Sequence, residues 1–148
     1  MSQDARLSRV LHVLIHLSLR NRTMSSAEIA KMLSINPVVV RRMMAGLRDR
    51  GYLQTTRGSS GGWYMALELD EITVNDVYEA LNEPNLLITG LAHDHPTCPV
   101  EASVNDMLNN VNAEAELLVL RRYRATTLAD LAQDAMKNKG SILLDPKS

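Results

Sequence analysis

Apolar positions recur at helical spacing near the start of the chain. Leu7, Val10, Leu11, Leu14 and Leu17, with Ser18 beside them, line one side of an amphipathic helix between Asp4 and Leu19. A second helix opens in "SSAEIAKML", where Ser25 stands three residues before Glu28, the spacing of a capping box. Ile29, Met32 and Leu33 supply its apolar face. The third helix lies in "NPVVVRRMMAGLRDRG". Asn36 suits its cap, Pro37 fits the first helical position because no N–H is lost there, and Gly51 offers the left-handed stop. Within it Val40, Met43, Met44 and Leu47 share the core side, which turns Val38, Arg41, Arg42 and Ala45 outward.

After Gly51 the period changes. "YLQTT" and "WYMAL" are short and rich in β-formers, and "RGSSGG" between them predicts a hairpin with a glycine-rich tip. Another helix follows in "ITVNDVYEAL", with Thr73 as its cap ahead of Val74, Val77 and Leu81. "PNLLITGLAHDHPTCPV" is irregular, broken by Pro84, Gly90, Pro96 and Pro99. From about Val100 to Arg124 no Pro or Gly interrupts a long helix, and Val104, Leu108, Val111, Ala115 and Leu118 form a coiled-coil-like seam. "TLADLAQDAM" predicts a last short helix, and the tail from Lys137 is expected to be loose.

The fold class this spells is mainly α with a small β-hairpin wing: a winged helix-turn-helix followed by a long dimerisation helix. The expected division is a DNA-binding domain at 1–83, an effector or linker loop at 84–99, dimerisation helices at 100–136 and a flexible tail at 137–148. The tip "RGSSGG" admits other readings. A phosphate loop needs a helix directly after it and a Gly-Lys-Ser/Thr ending, and neither follows here. A linker would not be so closely flanked by β-formers. Small residues at a hairpin tip let backbone approach a groove, and Arg57 offers a cation to a narrow minor groove.

Charge supports the wing. The 148-residue chain has a net charge of −1, which on its face argues against a nucleic-acid binder. Its distribution reverses that impression: residues 1–66 hold ten Lys/Arg against three Asp/Glu, or +7, and residues 67–148 hold six against fourteen, or −8. Neither a long apolar run nor a charged-then-apolar leader appears, so a soluble cytoplasmic protein with no membrane partner is expected. A single cysteine excludes an internal disulfide framework.

The run "SSAEIAKMLSINPVVVRRMMAGLRDRGYL", then "RGSSGGWYMA", then "EITVNDVYEAL", resembles the Rrf2 family of bacterial transcription regulators. With "CPV" at Cys98 and the long helix followed by "TLADL", the resemblance covers nearly the whole chain. It implies a homodimer, joined here through residues 100–124, on a palindromic operator in double-stranded DNA, usually as a repressor. The third helix would enter the major groove and the wing the neighbouring minor groove. Many members hold an iron–sulfur cluster through three cysteines in the loop before the long helix, whereas this chain keeps only Cys98. Two subunits then supply two thiols where four thiolate-like ligands are usual. The wording "NPVVVRR" looks like the cluster-free branch, so no cofactor and no metal is expected.

The candidate DNA contacts are Ser26, Asn36, Val38, Arg41, Arg42, Arg48, Arg57, Gly58, Ser59 and Ser60. An exposed arginine pair on the second helix of a helix-turn-helix can reach guanine edges or hold phosphates, although a solvated charged face is the plainer alternative. Arg48 and Arg50 sit near a helix end, where the dipole favours cations anyway. Ser26 and Asn36 are most simply caps, and Gly61 and Gly62 serve turn geometry that lets Trp63 fold back on the sheet. Cys98, just ahead of the long helix, is placed as a redox- or electrophile-sensing thiol would be, or is a small buried hydrophobe.

His12 and His16 are spaced i,i+4 and, facing away from the Leu7–Leu11–Leu14 stripe, are expected at the surface or against a partner subunit. With His93, His95 and Cys98 they raise a metal site, which spacing alone supports weakly. Some cluster-binding relatives recruit His or carboxylate from the first helix, which keeps Asp4 and His12 in view. No catalytic constellation stands out, so no enzyme is expected. The rivals to a DNA-binding repressor are a winged-helix module for protein contact, docking through the acidic half, and a metal- or cluster-dependent sensor. The charge asymmetry favours DNA.

Overall fold

The computed structural model describes residues 4–86 and 89–139. In chain order the elements are α1 (Arg6–Arg20), α2 (Ser26–Leu33), α3 (Pro37–Asp49), β1 (Leu53–Thr55), β2 (Trp63–Met65), a 3-10 turn (Leu69–Glu71), α4 (Val74–Ala80), α5 (Pro99–Ala125) and α6 (Leu128–Lys139). They divide into two compact units: the described residues up to Pro84 together with those from Arg124 onward, and Asn85–Tyr123.

The first unit is built on an aliphatic, methionine-rich core, as a chain without phenylalanine requires. Val10, Val13, Leu14 and Leu17 of α1 join Ile29 of α2, Val40, Met43, Met44 and Leu47 of α3, and Ile72 and Val77 around α4. The α3 set is the one its spacing predicts. On α2 the buried residues are Ile29 and Ala30, with Met32 and Leu33 only half-buried. The buried side of α1 is rotated from the expected stripe: Leu7 and Leu11 are half-buried, while His16 is only 1% exposed. The expectation that His16 faces the surface is therefore corrected. Once Val13 joins Val10 and Leu17 in the core, His16, three residues on from Val13, comes in with it. His12 stays exposed.

Local chemistry sets the helix ends. The Ser25 hydroxyl accepts from Glu28 N–H and the Glu28 carboxylate accepts from Ser25 N–H, closing the capping box. Asn36 caps α3, accepting from Val38 N–H at 2.8 Å, and Gly51 follows its end at φ 84°. Thr73 and Asp76 cap α4 in the same reciprocal way. The hairpin pairs Leu53 with Met65, Gln54 with Tyr64 and Thr55 with Trp63. Beyond it, β2 makes a further antiparallel bridge to Met24 in the α1–α2 connection, with N–H···O distances of 2.8 and 3.0 Å.

The second half of the chain departs from the expected division. Val74 N–H donates to the Thr126 carbonyl and Leu128 N–H to the Ile72 carbonyl, each at 2.9 Å, and Leu128 is fully buried. α6 thus belongs to the first unit, packed on the 3-10 turn and α1, so the stretch 100–136 does not form one block. It also runs to Lys139, three residues into the stretch expected to be loose, and residues 140–148 lie outside the described residues.

In the second unit the segment before α5 is fastened along that helix. Asn105 Nδ2 donates to the Ala92 carbonyl at 2.8 Å, and His95 N–H donates to the Glu101 carboxylate at 2.9 Å. No described side chain of α5 is buried, and Val104, Val111 and Leu118 of the expected seam are exposed. Among the described residues no helix is long and apolar enough to cross a membrane.

Candidate nucleic-acid interface

At about 100° per residue, the side of α3 opposite its core carries Val38, Arg42, Ala45 and Asp49. Arg41 and Arg48 lean to one flank and Val39 and Gly46 to the other. Contacts fix which flank is which. The Arg48 guanidinium lies 5.9 Å from the Trp63 ring centroid, so the Arg41–Arg48 flank looks toward the wing. Gly46 packs on α4 so closely that a Cβ there would stand 2.5 Å from the Ala80 carbonyl oxygen. On that same flank Val39 and Arg42 border an open cleft of about 390 Å3 reaching Arg6 and Leu81.

The cations divide by their partners. Arg6 is forked onto Asp4, Arg22 reaches Glu28 at 3.2 Å, and Arg50 reaches Glu79 on α4 at 3.6 Å. Glu28 is held below the usual carboxylate range, chiefly because it accepts the Ser25 N–H, with Arg22 adding to it. Arg41, Arg42 and Arg57 are exposed and form no ion pair among the described residues. Arg48 makes a long ion contact, 3.5 Å, to the neighbouring Asp49.

The wing tip, Arg57 to Ser60, is exposed throughout. Gly58 takes φ 103°, a backbone state that favours glycine, and its carbonyl accepts from Gly61 N–H. At its base, Trp63 folds back as the glycines before it suggest, and its contacts with Ser26, Met24 and Arg48, which the sequence did not foretell, make it a joint. Its backbone pairs with Met24, its indole N–H donates to Ser26 Oγ at 3.0 Å, and its ring carries Arg48. Gly62 allows the approach, since a Cβ there would lie 2.4 Å from the Met24 carbonyl oxygen. The sequence signal was present in the only tryptophan of the chain, directly behind two glycines.

Of the two candidate caps, one changes character. Ser26 is the first residue of α2 and not its cap, which is Ser25. Its hydroxyl accepts from Trp63 and keeps its own O–H to donate. Asn36 is a cap as expected, with its side-chain oxygen already engaged. Ser26 and Arg48 are thereby brought to the base of the wing, with Arg41 on the same flank of α3, while Val38 and Arg42 lie on its outer side and cleft flank.

A helix-turn-helix with an exposed arginine pair and a wing locked to it can be compared with known proteins. The model of the Rrf2 family, described as iron-dependent transcriptional regulators, matches residues 3–134. The chain belongs to the Rrf2 family. It is 31% identical over 111 residues to protein rrf2 of Nitratidesulfovibrio vulgaris strain Hildenborough, covering 75% of this chain and 72% of that one. It is 38% identical over 127 residues to YffB of Lactococcus lactis, designated an HTH-type transcriptional regulator, covering 84% and 81%. Among solved structures, a protein of Lactobacillus plantarum described as a transcriptional regulator superposes with a TM-score of 0.72 at 28% identity, covering 95% of each chain. IscR of T. potens shares the fold, with a TM-score of 0.68 at 18% identity over 94% and 91%. This Rrf2 protein is accordingly a DNA-binding transcriptional regulator and not an enzyme.

The family description raises iron, and the donor set answers it. Cys98 is the sole thiol, half-buried in the turn that leads into α5, where its carbonyl accepts the Ala102 N–H. His93 and His95 nearby are exposed, and His95 is tied to Glu101 through its backbone. Among the described residues no group of three or more His, Cys, Asp or Glu converges. One thiol per chain does not fit a cluster that takes about four thiolate ligands, and no step is derived through one.

Proposed function

We propose that this Rrf2 protein is a cytoplasmic homodimer that binds a two-fold-symmetric operator and represses transcription from it. The observation that carries the reading is the set of cations that are exposed and without ion pairs among the described residues, Arg41, Arg42 and Arg57, on α3 and on a wing that Trp63 joins to it. α3 enters the major groove, where Arg41 and Arg42 meet guanine edges or phosphates. Ser26 and Arg48 flank it, Asn36 presents the helix start, and Arg57 with Gly58, Ser59 and Ser60 follows the neighbouring minor groove. The exposed apolar residues of α5, Val104, Val111 and Leu118, support a second copy of the chain as partner over residues 100–124.

The test is fluorescence anisotropy of the protein on DNA upstream of its own reading frame and on scrambled DNA, across a salt series. The expected result is tight, sequence-selective binding that falls steeply with salt and is lost in the double variant Arg41→Ala/Arg42→Ala. Equal weak binding to both DNAs, indifferent to those substitutions, overturns it in favour of a winged helix that contacts proteins. A redox response rests on the half-buried Cys98 thiol beside the exposed stretch Ala92–Thr97. Oxidised wild type should then lose operator affinity that oxidised Cys98→Ser keeps; identical behaviour of the two removes the cysteine from the reading.

A further inference from the structure

Three valines in a row open α3, and the fold uses them unequally. Val40 is fully buried, whereas Val38 and Val39 are 44% and 39% exposed. Exposed helix positions are better served by Ala, Lys, Glu or Gln, because a β-branched side chain loses rotamer freedom against the preceding turn. Packing therefore gives no reason for valine at 38. The cap does give it a fixed position, since Val38 N–H is bound by the Asn36 side chain at 2.8 Å.

Val38 lies near the line of α3 directly opposite the core, with Arg41 on the wing flank and Arg42 on the cleft flank. Ala45 stands two turns on along the same line and keeps that line low, so a groove floor can approach. Among the groups that base edges present on the floor of the major groove, the C5 methyl of thymine is the apolar one that stands out from the donors and acceptors, since cytosine has only a hydrogen at C5. An isopropyl group flanked by two guanidinium groups cannot satisfy the polar edges and can cover the methyl.

Resting on the DNA-binding reading above, we propose that Val38 reads the C5 methyl of one thymine in each half of the operator. Arg41 and Arg42 take the guanine edges or phosphates to either side. Val39, on the cleft flank, takes no part. Val38 thus sets specificity for a pyrimidine by its methyl, and a neighbouring arginine cannot substitute for it.

The experiment begins with selection of duplexes by the full-length protein from a randomised library made with ordinary nucleotides. In the enriched duplex each thymine is replaced by deoxyuridine, symmetrically in both halves, one position at a time. Deoxyuridine keeps every hydrogen-bonding group and removes only the methyl. One symmetric pair should weaken wild-type binding about three- to fivefold per half-site, and about ten- to twentyfold together, the worth of one buried methyl group each. Val38→Ala should bind the thymine and deoxyuridine duplexes alike, while Val39→Ala should keep the full difference. Alanine favours the helix, so the variant keeps its fold. Wild type indifferent to every replacement, or a difference that survives in Val38→Ala, overturns the proposal and leaves DNA binding standing. A library that yields no enriched duplex overturns the DNA-binding reading and this proposal with it.

Discussion

The indole N–H of Trp63 donates to the hydroxyl of Ser26 at 3.0 Å across 37 positions of sequence, and this bond ties the base of the wing to the start of the helix-turn-helix. Deleting either partner should cost about 1 kcal/mol of stability, the net worth of one such bond. Trp63→Phe and Ser26→Ala should therefore be non-additive, with the double variant losing about 1 kcal/mol less than the sum. Urea unfolding of the four proteins measures this. Strict additivity would mean that the two groups do not interact in solution.

Gly62 should tolerate no side chain. A Cβ there meets backbone atoms of Met24 and Ser25, at 2.4 Å for the Met24 carbonyl oxygen, and backbone cannot swing aside as a flexible side chain would. Gly62→Ala is expected to lose about 2 kcal/mol or more, because either the Met24 bridge or the hairpin must shift. A thermal melt unchanged from wild type would show that the bridge is dispensable.

Arg57 should act through charge. If each wing of a dimer neutralises one phosphate, Arg57→Ala lowers the magnitude of the log–log salt slope by about 1.8. The variant should fold as wild type does, its side chain being exposed. Binding measured at four or more salt concentrations decides, and an unchanged slope puts the wing away from the backbone.

His16 should make the fold acid-sensitive. Burial, with His12 and Arg20 adding to it, pushes its pKa from 6.5 down to about 4, and its buried Nδ1 has no hydrogen-bond partner among the described residues. The folded chain keeps this imidazole neutral while the unfolded chain protonates it below about pH 6.5. Stability is therefore intact above that pH, declines between about 6.5 and 4, and levels off lower, a loss of up to about 3 kcal/mol. His16→Leu should flatten that decline in urea midpoints taken from pH 7.5 to 4. The same acid slope in the variant would assign it to other groups.

The exposed residues of α5 give a prediction on assembly. Val111→Glu/Leu118→Glu should turn a dimer into a monomer, with the dimer dissociation constant raised at least about a hundredfold, since each substitution buries an unpaired charge at the seam. Sedimentation velocity reads it directly. A wild-type monomer at micromolar concentration would remove the seam from the reading.

Much of this was legible because local rules and the fold agree. The α3 core quartet, the Ser25–Glu28 box, the Asn36 cap and the glycine-tipped hairpin each follow from spacing or from a single residue's backbone preference. What escaped depends on contacts between distant positions. His16 turned inward because Val13, and not Leu11, lies fully in the core, a choice of helix rotation that a broad apolar stripe leaves open. Ser26 looked like a cap until Trp63 claimed its hydroxyl, and α6 looked like part of a dimerisation block until Leu128 entered the core of the first unit. Arg48 and Arg50 were alike in sequence, and their partners separate them: Arg48 lies over the Trp63 ring, whereas Arg50 reaches the carboxylate of Glu79.

The two sides of α3 have a consequence for how relatives of this protein diverge. Val40, Met43, Met44 and Leu47 answer to the interior alone, and Val38, Arg41, Arg42 and Ala45 contribute little to it. After a gene duplication, the outward four can drift while the inward four stay under purifying selection. A copy can acquire a new set of targets by passing through intermediates that are all folded.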